Sequence, residues 1–502
     1  MSVKSTAVWV SLAILTSPIA AQAQSADKVI ERYVSAIGGK NALEKIVSTE
    51  ISGRVSAADG RSGVFTERTK RPQLFSVSLS WGESRWSTGF NGRAAWQDGS
   101  IDGAQTLYGE SASRVRAEAS YANTHFLLPD RVSEVYLVGQ EQVRGHSVIV
   151  VIAVAPDGVR RTLSFDADSY LLVKDALQTE AGVEERFFDD YRRVDQVLEP
   201  HRIEWHRNGD TFQIVVERIT HNLPLDAGMF AVPLRAAEPP VDLDAVLSAA
   251  ARAEQRTQPV PASYTYTSTS TFIRFDEQGR AKQEEGMSFE VFSVGGRMVS
   301  RLIKKYRGQP LSEVERRRED DRVNQLVREY QRQRPSQEAV RRAQQPGSGF
   351  VIVRSLLGAP DSLFAYLRMS EFSGVRRERL RGRVAIVVEF QPKPRVDPSN
   401  DFERQVSKIA GTLWIDEASQ SVVRIESYFT DDDNRNVEGS TLRMERTLVN
   451  DEVWLPSRLE MNLRRSWAFG KFSNWIDTVD YTGHKKFSVD SGFTITLPDA
   501  GR

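Results

Sequence analysis

The stretch from Arg144 to Pro200 reads RGHSVIVVIAVAPDGVRRTLSFDADSYLLVKDALQTEAGVEERFFDDYRRVDQVLEP. Its apolar residues come in strand-length runs at 147–154, 161–165, 171–178 and 184–194, with Asp166, Ala167 and Asp168 as a turn between two of them. That pattern predicts antiparallel strands joined by tight turns. A looser copy begins at Gly382 in RGRVAIVVEFQP (381–392). It continues as GTLWIDEASQSVVRIESYFTDD (411–432) and STLRMERTLVNDEVWLPSRLEM (440–461). Gly145 matches Gly382, Phe165–Asp166 matches Ile415–Asp416, Tyr170–Val173 matches Ser421–Arg424, and Pro200 matches Pro456. Self-similarity on this scale predicts one architecture used twice.

The rest of the chain extends the pattern. Before the first copy, 25–46 has helical spacing, with Ser25 or Asp27 as cap, an apolar face of Val29, Ile30, Tyr33, Val34 and Ile37, and Gly38–Gly39 as its break. From Thr49 the period becomes two. Short strands follow, punctuated by Asp59–Gly60, Trp81–Gly82, Asn91–Gly92 and Asp98–Gly99, which favour tight hairpins. Residues 111–128 predict a helix that ends at Pro129. After a proline-bearing linker at 234–241, Asp242–Ala253 repeats the amphipathic helix and strands resume at Ser263. The expected division is therefore a first domain at 24–233, the linker, a second domain at 242–490, and a tail at 491–502. A charged, Arg-, Glu- and Gln-rich segment at 311–345 interrupts the second domain and predicts a surface helical pair divided by Pro335.

Composition bounds the function. The chain has 502 residues, with 67 Lys plus Arg against 67 Asp plus Glu. Formal neutrality argues against a general nucleic-acid binder. Residues 1–23 carry Lys4, an apolar run at 7–15 and the Ala21–Gln22–Ala23 motif, which predict a cleaved export signal and a periplasmic protein. With no cysteine, neither disulfides nor a lipid anchor on an N-terminal cysteine can form.

Catalytic signatures are sparse. The histidines at 125, 146, 201, 206, 221 and 484 show no metal-ligand spacing, and His201 and His206 fall on opposite faces of one strand. No nucleophile elbow, Walker loop or dinucleotide-binding loop occurs. Asp431–Asn434 lacks the glycine and distal glutamate of a calcium loop. Asp166 and Asp416 each open a turn, where an aspartate caps local backbone. The expectation is a non-enzyme without metal or cofactor. Aromatic residues are plentiful on the strands. Inward alternation selects Phe65, Trp81, Trp86, Phe90, Trp96, Tyr266, Phe289, Trp414 and Phe429 as candidates to line an apolar cleft for acyl chains.

Several motifs in sequence order carry a family resemblance: TERTKRPQLF (66–75), FNGRAAWQ (90–97), GQEQVRGH (139–146), LSFDADSYLLV (163–173), FDDYRRV (188–194) and LEPHRI (198–203). GTLWID (411–416) and VWLPSR (453–458) carry the second copy. Together they resemble the outer-membrane lipoprotein-sorting (LolA/LolB-like) family. The resemblance implies a β-rich α+β fold, with two curved antiparallel half-barrel sheets, each with helices over its concave face. It also implies binding or carriage of lipid or lipoprotein acyl chains in the cell envelope. Tandem domains resemble instead periplasmic regulators that sense lipoproteins and bind a membrane partner, with 311–345 as the partner surface.

Overall fold

The computed structural model describes residues 25–99, 103–124, 134–155, 159–179, 182–233, 239–256, 264–275, 281–294, 297–332, 361–432, 438–466 and 472–486. The expected leader at 1–23, the tail at 491–502, residues 333–345 of the charged segment and Asp433–Asn434 lie outside them.

Two antiparallel sheets form the body. The first comprises β1 (Ser48–Ala57), β2 (Ser62–Lys70), β3 (Leu74–Trp81), β4 (Ser84–Phe90), β5 (Ala95–Asp98), β6 (Gln105–Thr106) and β7 (Glu134–Val143). It continues through β8 (His146–Val154), β9 (Arg160–Asp166), β10 (Leu172–Thr179), β11 (Gly182–Val194), β12 (Val197–Arg207) and β13 (Asp210–His221). The second begins with β14 (Tyr264–Phe275), β15 (Ala281–Val294), β16 (Arg297–Lys304), β17 (Ser370–Leu380) and β18 (Arg383–Pro392). It ends with β19 (Ile409–Asp416), β20 (Val422–Phe429), β21 (Thr441–Val449), β22 (Val453–Ser466) and β23 (Phe472–Lys486).

The 13-stranded sheet runs β6-β5-β4-β3-β2-β1-β13-β12-β11-β10-β9-β8-β7, and the 10-stranded sheet β16-β15-β14-β23-β22-β21-β20-β19-β18-β17. Aligning β7–β13 with β17–β23 and β1–β3 with β14–β16 superimposes the two orders; among the described residues β4–β6 have no counterpart. The turns repeat as well. The β7–β8 and β17–β18 hairpins both turn on Arg-Gly with positive φ, Arg144 50° and Gly145 87°, Arg381 51° and Gly382 79°. Asp166 accepts from the Ser169 N–H at 2.8 Å, and Asp416 from the Ser419 N–H at 2.9 Å. The left-handed residue that follows is Tyr170 in one copy and Gln420 in the other, each at φ 60°. Tyr170 therefore corresponds to Gln420, and the sequence match to Ser421 is one residue out. Turn geometry sets the register there, and the apolar run alone does not.

The helices are α1 (Ala26–Ala36), α2 (Lys40–Glu44), α3 (Glu110–Thr124), α4 (Leu243–Arg256), α5 (Glu313–Arg332), α6 (Asp361–Met369) and α7 (Asp401–Val406). Ser25 caps α1 by accepting from the Lys28 N–H at 3.3 Å. Val29, Ile30 and Tyr33 of α1 bury against Ile149, Leu163 and Phe165. Gly38 ends that helix at φ 137°, where a Cβ would stand 2.6 Å from the Gln196 carbonyl oxygen; only glycine fits there. Sequence reasoning missed α6 and α7. Short apolar stretches such as 363–369 do not separate helix from strand by period.

The sheets pack on each other. Strand β19 is buried along its whole length. Its Ile409, Leu413 and Ile415 join a core with Val246 and Leu247 of α4, Leu363 and Tyr366 of α6, and Val406 of α7. Its opposite face meets the β4–β6 side of the first sheet. There the Tyr428 ring lies 5.7 Å from Phe90, Tyr108 lies 5.9 Å from Trp414, and Ala410 and Tyr428 join the first sheet's core. Ion pairs seal the seam. Glu389 takes Arg93 at 3.1 Å, Arg376 at 2.8 Å and Asn91 at 3.0 Å, while Glu426 takes Arg443 at 3.0 Å and the Gly109 N–H at 3.1 Å. Charges this deep persist because each carboxylate has several donors.

Candidate binding cleft beneath the third helix

Helix α3 sits where the two sheets meet and uses its whole circumference. Ala112, Val115 and Ala119 face the first sheet's core, and Ser113 donates no apolar surface but accepts from Arg443 of the second sheet. The remaining side presents Arg114, Glu118 and Tyr121 to β9–β12. This explains the helix's weak amphipathic pattern, since a helix buried on several sides has no single apolar stripe.

Glu118 organises that side. Its carboxylate accepts from Arg161 and, at 2.6 Å, from Arg186. Asp175 completes the ring, taking Arg161 at 2.7 Å and Arg186 at 3.0 Å. Arg161 is 6% exposed and Asp175 1%, so this is an interior quartet of charges in place of an apolar floor. Burial opposes the ionised form of Glu118, but Arg161 and Arg186 outweigh it and hold its carboxyl at about 2. Glu67 of β2 lies beside the quartet. Burial pushes its carboxyl up to about 7, opposed by Arg186 and aided by Glu118 and Glu199.

Three cavities follow one another along this face. A mouth of about 470 Å³ is lined by Arg61, Trp81, Trp86, Arg114, Arg207 and Phe212, among others. A neck of about 60 Å³ shares Trp86, Arg114 and Arg207 with the mouth and includes Phe65, Glu67 and the quartet. Beyond it, about 150 Å³ lies between α1, α3 and the sheet, reaching Tyr33, Leu43 and Tyr191. At the mouth the Arg207 guanidinium stacks 3.9 Å from the Trp86 ring, and Arg61 lies 4.9 Å from Trp81. Burial lowers the Arg207 guanidinium to about 10, with Glu184 opposing. The cleft can therefore seat a small amphiphile: aromatic and cationic at the entrance, ionic at the neck, apolar beyond.

The aromatic candidates disperse. Phe65, Trp81 and Trp86 reach this cleft. Phe90 is fully buried in the core beside them. Trp96 points to the other face, where its Nε1–H donates to the Phe230 carbonyl oxygen at 2.9 Å. Trp414 fills the seam between sheets, and Phe429 is packed under the second sheet's helices. Tyr266 lies 5.7 Å from Tyr481, and Phe289 is half-buried on β15 opposite Ser268 and Leu302. The quartet and the mouth arginines escaped sequence reasoning. One signal was available: Arg161 shares its strand parity with Leu163 and Phe165, which face α1, so it had to point inward. Among the described residues no group of His, Asp and Glu is arranged to hold a metal ion.

No family model matches the chain, and no curated protein does. Solved structures do. A LolA superfamily protein from Nitrosomonas europaea is 14% identical, covering 41% of this chain and 97% of that one, with a TM-score of 0.30. A putative outer membrane lipoprotein-sorting protein domain from Vibrio parahaemolyticus is 12% identical, covering 41% and 97%, with a TM-score of 0.29. The MucA/MucB complex of Pseudomonas aeruginosa matches at 10% identity over 92% of this chain and 99% of that one, with a TM-score of 0.19. Likeness at this level says nothing about what the chain binds.

Proposed function

We propose that this is a non-catalytic, exported protein of the periplasm that senses a lipid or lipoprotein and binds a membrane partner, rather than an acyl-chain carrier. The observation that carries the reading is the state of the two helix-covered faces. A carrier needs an open apolar groove long enough for a chain, because its affinity comes from methylenes at about 0.8 kcal/mol each. Among the described residues the second sheet shows no such groove under its helices, where α4, α6 and α7 meet it in a continuous apolar core. The first has room, but its neck of about 60 Å³ is ringed by Glu118, Arg161, Asp175 and Arg186 in mutual ion pairs. An alkyl chain there would strip water from charges without replacing it. A short amphiphile lodged at the mouth fits better, and that is the load of a sensor.

The partner surface in this reading is the charged 311–345 segment, whose described part is α5. The test is photo-crosslinking in intact cells from a probe residue at Arg317, whose side chain is 77% exposed, with a probe at Val215 on the first sheet as control. A single membrane protein captured from Arg317 and not from Val215 is the expected result. Equal capture from both positions, or capture of no membrane protein, contradicts the reading.

A further inference from the structure

We propose that β16 is a docking edge for an acidic, extended segment of a partner protein, and that α5 holds that edge shut. The proposal rests on the partner-binding reading above and names where and how the partner binds.

The internal repeat sets β16 apart. Strand β16 occupies the place that β3 holds in the first sheet. There β3 is an interior strand, paired from Phe75–Trp81 with Ser84–Phe90 of β4. Among the described residues no strand stands beyond β16 in the second sheet, and only its Lys304 end is bridged, by Pro310. An unpaired ladder of N–H and C=O groups is a template for an incoming strand.

Side chains of α5 stand along that edge instead. The outward N–H of Leu302 donates to the Glu319 carboxylate at 2.7 Å. The outward carbonyl oxygen of Ser300 accepts from the Arg322 guanidinium at 2.6 Å. Glu319 and Arg322 are themselves joined by two hydrogen bonds, of 2.6 and 2.7 Å. The pair thus presents one acceptor and one donor to the strand at alternate residues, as the backbone of a neighbouring strand does. It is a side-chain stand-in for a missing β-strand.

Charge specifies the occupant. Strand β16 and its exit bear Arg301 and Lys305, and α5 answers both: Asp320 lies 3.7 Å from Arg301, and Glu315 lies 2.9 Å from Lys305. With Glu319, the helix turns three carboxylates onto one basic strand. A partner strand with acidic side chains recovers those contacts and adds the backbone ladder. The helix is lightly held. Val323 and Val327 pack on Val299, while Val314 is 60% exposed and the Glu313–Arg317 pair stands in solvent. Displacing it uncovers a small apolar contact and leaves the sheet's main core untouched.

The test uses the full chain and two fluorescent heptapeptides, acetyl-EVEVEVE-amide and its Lys-for-Glu counterpart, followed by anisotropy. Glu319→Ala with Arg322→Ala removes the stand-in. Val299→Cys with Val323→Cys staples the helix down, in a protein that has no other cysteine. The acidic peptide should bind the opened variant at least tenfold more tightly than the unaltered protein. It should not bind the oxidised staple, and reduction should restore the unaltered protein's binding; the basic peptide should bind none of them. Slowed amide exchange at 298–303 on peptide binding locates the strand. Equal binding of both peptides, no binding by a folded opened variant, or pairing of the opened variant with a second copy of itself overturns the proposal. If the opened variant does not fold, the staple decides alone, and equal peptide binding before and after reduction overturns it. Capture of a membrane partner from Arg317 alongside failure of the peptides would sink this inference and leave the partner-binding reading standing.

Discussion

The two sheets are built to one strand order and have opposite interiors. Under its helices the second sheet is dry, with Leu413, Ile415, Phe390 and Leu459 each essentially without solvent contact. The first sheet, at the corresponding depth, carries Glu118, Arg161, Asp175 and Arg186. The helices account for the difference. The second sheet receives α4, α6 and α7, which bring Val246, Leu247, Leu363 and Tyr366 onto its floor. The first receives α1 at one end and α3 at the other, and α3 must also serve the seam with the second sheet. Space left between them is bridged by long charged side chains rather than filled. One topology thus yields a half filled beneath its helices and a half with a cleft there.

The largest effect that would break this contrast lies in the quartet. Asp175→Ala leaves Arg161 buried without its bidentate partner and should cost about 3–5 kcal/mol in urea unfolding. Replacing all four members by apolar residues of similar size should be near neutral in stability. That change should also turn the first sheet into a binder of a fluorescent fatty acid, which the unaltered protein is expected to take up poorly. On the second sheet Leu413→Ala should cost about 2–5 kcal/mol by cavity formation, with no change in the pH profile. A smaller effect separates the sheets by pH. The Glu67 carboxyl is raised by burial from 4.5 to about 7. Between those values the folded protein keeps a proton that the unfolded chain has shed, so stability falls as pH rises from about 4.5 to about 7. Glu67→Gln should flatten that window, by on the order of 1 kcal/mol after solvent screening. The smallest effect is at the caps. Ser25→Ala on α1 and Asp242→Ala on α4, where Asp242 accepts from the Ala245 N–H at 3.0 Å, should each cost about 1 kcal/mol in thermal unfolding. Equal losses would show that the two covering helices are held alike despite the different floors beneath them.

Much of the fold was legible because it is written locally. Alternation and paired turn residues mark the strands, and the aspartates at 166 and 416 cap their turns as their chemistry requires. The site was less legible for a physical reason. Inward alternation assigns a face but not what covers it, so Phe65, Trp86, Trp96, Trp414 and Phe429 looked equivalent in sequence. In the structure they meet the cleft, the opposite face, the seam and a filled core. The seam itself joins residues about 300 positions apart, such as Arg93 with Glu389, and no local period encodes such a pairing. The ionic quartet spans α3, β9, β10 and β11, and only the parity of Arg161 hinted at it.

The account stands on the claim that neither helix-covered face stores an acyl chain in the resting protein. Mass spectrometry of lipid extracted from the protein, purified from its native host without detergent, tests this directly. The expected result is acyl lipid far below one per molecule. One acyl chain or more per molecule, retained through purification, would contradict it and restore the carrier reading.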